Sequence, residues 1–308
     1  MPLNLVPFVH SKRLMKSVLA ILILPMLFAV APSTGRAETS CQTRDLISLI
    51  PSAPKSQAKT NWCFAFSATD LLEQKLGIKI SAPDLAIRFF KKYPQLMNKP
   101  SIFSSSGLLD KSINEIASDD GVCSEDDLHV NEKTLNYLMS FTWGQADKEI
   151  EPEKSLAVIS EIFPRVEPRI LQTFLDRYRA NPTDSKKIED LEISLISMTC
   201  KNRIAIPKIN TVTSTCTKSG CPNLIEKIDQ ALEGNKLSSI NVYAGDLHSV
   251  TVVGRFENSN THECTYVLRD SKWRERKSSE TVTVHSEYLH VSRKNLAPMI
   301  DSVTTLAD

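Results

Sequence analysis

Glycine is scarce in this chain, 9 in 308 residues. Neither GxGxxG nor GxxxxGK[ST] occurs, so nothing in the text offers a phosphate cradle. An excess of either charge is also missing: 37 basic against 36 acidic residues give a formal net charge of +1. Nucleic acid and acidic membranes are bound through a clear surplus of Lys and Arg, so neither is an expected partner. No Asn-x-Ser/Thr with x other than Pro is found, and N-glycosylation is not expected. Long apolar runs are confined to Val18–Ala31, which excludes a polytopic membrane protein. What remains, 41% hydrophobic and 24% charged, is the balance of a globular chain with a sizeable core. It is not that of a coiled coil, a collagen or a disordered tail.

The apolar run follows Lys12, Arg13 and Lys16 and is succeeded by Gly35-Arg36-Ala37. A basic flank, a short apolar segment and a small-residue site predict a secretory signal peptide over 1–37, cleaved between Ala37 and Glu38. Met15 is an alternative start, and an uncleaved anchor is the alternative fate. Pro25 and the shortness of the run argue against a span. Cleavage would remove four basic and no acidic residues, leaving 33 against 36 and a net charge of −3. The expected destination is secreted or periplasmic, with no stable membrane insertion after cleavage.

Seven cysteines follow: Cys41, Cys63, Cys123, Cys200, Cys216, Cys221 and Cys264. An oxidising compartment favours pairing, and an odd number leaves one thiol for chemistry or for another chain. A zinc site would need tighter ligand pairs with neighbouring His, which are missing, so no metal and no cofactor is expected.

The organisation is helices first and strands last. Residues 38–60, with Pro51 and Pro54, read as an extended lead-in. Apolar residues at 64, 68, 71, 72 and 76 share one helical face, and Gly77 is a natural stop. Ser81-Ala82-Pro83-Asp84 opens a second helix through Phe90. A loop with Ser104–Gly107 precedes a third, roughly 108–116. Residues 128–200 are strongly helical, with Pro164, Pro168 and Pro182 as separators. After one more helix at 224–232, β-branched runs at 238–243, 249–254, 265–268 and 281–284 read as strands. The expected class is α+β with two lobes.

Cys63 stands at the start of the first helix, where unpaired N–H groups and the dipole favour a thiolate. Position alone leaves a nucleophile, a disulfide partner and an inert buried thiol equally open. The surrounding text, Gln57-Ala58-Lys59-Thr60-Asn61-Trp62-Cys63-Phe64-Ala65-Phe66-Ser67-Ala68, resembles the active-site segment of papain-like cysteine peptidases. Gly245-Asp246-Leu247-His248-Ser249-Val250 resembles that family's His-bearing strand. Tyr266-Val267-Leu268-Arg269-Asp270-Ser271-Lys272-Trp273 resembles its strand ending in Asn-Ser-Trp, with Asp for Asn and Lys272 intervening before the tryptophan. Ser81–Leu85, Gly107 after its serine run and Gly121-Val122-Cys123-Ser124-Glu125 add further matches. Residues 50–128 and 222–275 are covered.

The resemblance implies a papain-like two-lobed fold and a polypeptide substrate. It implies Cys63 as nucleophile, His248 as its base, Asp270 as the group orienting the imidazole, and Gln57 as an oxyanion donor beside the Cys63 N–H. Asp246 is the competing acid. The chain would then divide into the signal peptide at 1–37, a helical lobe with the nucleophile at 38–128, a helical insertion at 129–221, and a β-rich lobe with His and Asp at 222–308. The family's inhibitory pro-region has no room before Cys63 if the mature chain starts at Glu38. Six cysteines remain for three bridges, with fifteen possible connectivities; Cys216 and Cys221 could close a local loop. The expected activity is exported peptide-bond hydrolysis through a thioester. A cysteine amidase or transamidase on cell-wall peptides and a retired binding module are the alternatives.

Overall fold

The computed structural model describes residues 41–307, apart from 59, 98–104, 129, 143–150, 183, 217–222, 244–246, 273–276 and 280. The expected signal peptide therefore lies outside the described residues. Among those described, no helix is long and apolar enough to cross a membrane.

The first helix, α1 (Cys63–Leu76), is buried on every side from Cys63 through Glu73. The predicted single apolar face understates this, because Ser67, Thr69, Asp70 and Glu73 are enclosed as well. A left-handed Gly77 (φ 67°) ends the helix, its N–H donating to the Glu73 carbonyl. Helix α2 (Ala82–Lys92) is capped by Ser81, whose Oγ accepts from the Asp84 N–H, and closes with Lys91 and Lys92 against the negative helix end. Phe64 packs on Phe89 and Phe90 at ring-centroid distances of 4.8 and 5.8 Å, joining the two helices.

A short helix α3 (Pro94–Met97) follows, then α4 (Ser105–Lys111), a π-helical stretch (Ser112–Ala117) and α5 (Ser118–Asp120). Ser105, Ser106 and Gly107 belong to the first turn of α4 and not to a preceding loop, which corrects the sequence expectation.

Helices α6 (Glu132–Thr142), α7 (Ser155–Ile162), α8 (Pro168–Ala180) and α9 (Ser185–Thr199) fill most of the stretch read as an insertion. Pro168 stands in the first turn of α8, where its missing N–H costs nothing. Phe141, Phe174 and Tyr178 form an edge-to-face cluster among them. The end of that stretch is not helical, however. Thr211–Thr215 forms strand β2, paired along its length with the C-terminal strand.

After α10 (Leu224–Glu233), the chain builds an antiparallel sheet. Its strands are β3 (Ser238–Tyr243), β4 (Leu247–Glu257), β5 (Cys264–Arg269), β6 (Val282–His285), β7 (Tyr288–Ser292) and β8 (Ile300–Leu306), with helix α11 (Arg293–Leu296) between the last two. The order is β2-β8-β3-β4-β5-β7-β6, and the two-residue strand β1 (Arg44–Asp45) pairs with β4. Helices precede strands, apart from β1, β2 and the short α11, and every pairing among the described strands is antiparallel, so the class is α+β as expected. Helix α1 lies against β4, and this contact positions the site.

Two disulfides secure the arrangement. Cys41–Cys264 ties the chain ahead of β1 to the start of β5, and Cys123–Cys200 ties the end of α5 to the end of α9. Cys216 is also disulfide-bonded. Cys221 lies outside the described residues, and among the described residues Cys63 is the free cysteine.

Gly254 shows why β1 can pair at all. β4 is irregular between Val252 and Gly254, and a Cβ on Gly254 would stand 2.6 Å from the Arg44 carbonyl oxygen. Backbone, not a yielding side chain, fills that space. Gly254→Ala should therefore lower unfolding free energy by about 1–3 kcal/mol. A shift in the urea midpoint at unchanged m would show this; an unaltered midpoint would contradict it.

Candidate active site

Cys63 opens α1, so its own N–H and that of Phe64 precede the first intrahelical acceptors, while Ala65 and Phe66 already donate to the Trp62 carbonyl. The thiol is buried, 8% exposed. Burial pushes its pKa up, yet the net direction is down. The opposing causes are a hydrogen bond and charge from His248, the Ser249 backbone N–H, and the Lys272 charge.

His248 sits on β4 opposite Val242 of β3. Its Nε2 meets Asp270 Oδ1 at 2.5 Å, and a second side-chain hydrogen bond joins it to Cys63. With Nε2 committed to the carboxylate, Nδ1 is the nitrogen left for sulfur. Burial pushes the imidazole pKa down, but hydrogen bonds and charge from Asp270 and Cys63 override it and raise it to about 9. A lowered thiol beside a raised imidazole favours the thiolate–imidazolium form of the pair.

Asp270 follows β5 directly and is 1% exposed. The Lys272 N–H donates to its Oδ1 at 2.8 Å, fixing the carboxylate in a turn. Gln57 is fully buried. Its Nε2 donates to the Thr60 carbonyl, its Oε1 accepts from Ser271 Oγ, and its backbone N–H donates to the Ser271 carbonyl at 2.9 Å. The structure thus brings Cys63, His248 and Asp270 into one hydrogen-bonded chain and ties Gln57 to the residue after Asp270. The competing Asp246 and the displaced Trp273 lie outside the described residues.

Sequence reasoning missed three contributors. The Ser249 N–H reaches the sulfur only because β4 runs past the start of α1. Lys272, first read as an intruder before the tryptophan, supplies positive charge toward the thiol and anchors Asp270. Arg269 holds the frame. Its guanidinium donates to the Ser52 and Ala53 carbonyls at 2.9 and 2.7 Å and to Ser52 Oγ at 3.0 Å, while Nε pairs with Asp70 of α1 at 3.0 Å. Glu73 completes this buried cluster, accepting from Ser52 Oγ, from Lys55 at 2.8 Å and from the Ile80 N–H at 2.8 Å.

No family model matches the chain, and no curated protein matches its sequence. Solved structures do align with it. The proform of the Amb a 11 cysteine protease, a ragweed pollen allergen, aligns at TM-score 0.46 and 12% identity, over 88% of this chain and 68% of that one. Digestive procathepsin L 3 of Tenebrio molitor aligns at 0.46 and 12%, over 89% and 72%. The bromelain protease of Ananas comosus aligns at 0.42 and 13%, over 86% and 98%. Likenesses at these values carry no argument about activity; the chemistry has to come from the site itself.

The buried cluster has a measurable signature. Burial raises the Asp70 pKa from 3.8 to about 6; the Glu73 charge pushes the same way, and Arg269 and Lys55 oppose it. A carboxyl raised in the folded state stabilises the fold at low pH, and that contribution is lost as pH climbs from about 4 through 6. Asp70→Asn removes this penalty, so its stability relative to wild type should improve by about 3 kcal/mol between pH 4 and pH 7. Parallel stability curves for the two proteins would contradict the assignment.

Proposed function

We propose that this protein is an exported cysteine peptidase, with Cys63 as nucleophile, His248 as acid and base, Asp270 as the imidazole's orienter and Gln57 as an oxyanion donor. The observation that carries the reading is the chain of contacts Cys63–His248–Asp270, with Nε2 of the ring 2.5 Å from the carboxylate and the thiol at a helix start. A free, buried cysteine in a disulfide-bonded chain supports it, since pairing has spared the one thiol that faces an imidazole. The disulfides also fit an oxidising compartment.

In this mechanism the Cys63 thiolate attacks the scissile carbonyl carbon. A C–S bond forms and the carbonyl π electrons move to oxygen. The Cys63 N–H and the Gln57 amide N–H not spent on Thr60 stabilise that oxyanion. Imidazolium His248 then gives its proton to the leaving nitrogen, the C–N bond breaks, and a thioester remains. Water attacks the thioester as neutral His248 takes its proton, and collapse of the second oxyanion expels the thiolate. Asp270 keeps the ring in one orientation and one protonation pattern throughout.

Iodoacetamide without reduction should add one label, at Cys63, and that label should abolish turnover of an unfolded protein substrate. Cys63→Ala should lower kcat by at least about a thousandfold. Labelling of other cysteines with Cys63 protected, or full activity in Cys63→Ala, would reject the reading.

Asp270 provides a sharper test. Its charge raises the imidazole pKa, so the alkaline limb of kcat/KM should fall near pH 9, where His248 loses its proton. Asp270→Asn should retain turnover, because the amide oxygen still accepts the ring N–H, while that limb moves down. Asp270→Ala should lose much more. If Asp270→Ala leaves kcat/KM untouched while Asp246→Ala collapses it, the orienting acid is Asp246.

A further inference from the structure

Beside the His248–Asp270 pair, against the sheet, lies a cavity of about 170 Å³ that the proposed mechanism does not use. One face of the sheet supplies its walls. Val250, Leu268, Leu289 and Val291 are buried aliphatic residues of β4, β5 and β7, while Val282 of β6 and Met299 are partly exposed. His248 and Asp270 are its buried polar lining, and Lys277 and Ser279 line it from exposed positions. Cys63 and Gln57 do not line it. Both ring nitrogens of His248 are already engaged, Nε2 with Asp270 and the other with Cys63.

We infer that this cavity is a binding site for a short-chain aliphatic carboxylate, its hydrocarbon among the valines and leucines and its carboxylate on Lys277. Three observations lead there. Eight of the twelve lining residues are aliphatic or Met, and an apolar space of roughly 150 Å³ holds a six-carbon molecule. The charged group on the lining other than the His–Asp pair is a lysine. Among the described residues, Lys277 makes no ion pair of its own. A neutral hydrocarbon would leave that charge unused, and a cation would face it.

The site relies on no step of the peptidase reading, although His248 and Asp270 line it. Its occupant would, however, exclude water from one side of the His248–Asp270 hydrogen bond.

Calorimetric titration of the disulfide-intact protein with hexanoate tests the inference. Saturable binding at one site is expected, and blocking Cys63 with iodoacetamide should leave it in place. Each methylene removed should weaken binding about fourfold, so butanoate should bind about fifteenfold more weakly. Val282→Phe, which fills the cavity from its partly exposed side, should weaken hexanoate at least tenfold. Should that variant unfold, Lys277→Ala decides: the exposed site is not expected to affect folding, and hexanoate should weaken while 1-hexanol does not. Absence of saturable hexanoate binding up to millimolar concentration would overturn the proposal. So would equal affinity for butanoate and hexanoate, or a folded Val282→Phe with unchanged affinity.

Discussion

The arrangement depends on one buried guanidinium. Arg269 ends β5, one residue before Asp270, and fastens the chain at Ser52 and Ala53 and the middle of α1 at Asp70. A charge with so little exposure is tolerable only when its donors are met, and here Nε, Nη1 and Nη2 all are. The consequence is geometric. Helix α1 is pinned against the strands that carry His248 and Asp270, so a helix-start thiol and a strand-borne imidazole meet although 185 positions separate them in the numbering. Loss of Arg269 would strand both Asp70 and Glu73 in a buried cluster with less positive charge, and so disturb the frame before it touched the chemistry.

Within that frame the electrostatics reinforce one another. Burial alone would keep Cys63 a thiol and His248 neutral, since each charged form is costly out of water. Each charge instead favours the other, with the Asp270 carboxylate behind the ring and Lys272 and the Ser249 N–H beside the sulfur. Ser271 and Gln57 extend the buried network to the segment before α1. Two hydrogen bonds, one from each backbone and side chain, join the segment before α1 to the turn after β5. Cys63, His248, Asp270 and Gln57 are thereby held by one continuous set of buried contacts.

The text of the sequence made part of this legible. Cys63 and its helix were readable because the motif is contiguous and Gly77 marks the stop; Gln57 was readable because its offset from Cys63 is local. His248 and Asp270 were readable from short strand segments in the right order. Arg269, Ser249 and Lys272 were not, since their roles depend on how β4 and β5 pass α1, and register is not written in either strand alone. β2 was hidden within a mostly helical stretch: Thr211–Thr215 is too polar to stand out and is a strand because β8 pairs with it. β7 and β8 lack flanking turn text. The pairings Cys41–Cys264 and Cys123–Cys200 follow from the folded chain, as the spacing left fifteen connectivities open.

The central claim is that Cys63 and His248 exist as a thiolate–imidazolium pair held by Asp270. An NMR titration of the His248 ring nitrogens reads this without any substrate. A ring protonated through pH 7 and 8 and deprotonating near pH 9 is expected, with a lower midpoint in Cys63→Ala because the thiolate's charge is gone. A ring that titrates near the ordinary histidine value of about 6.5, unmoved by Cys63→Ala, would contradict it.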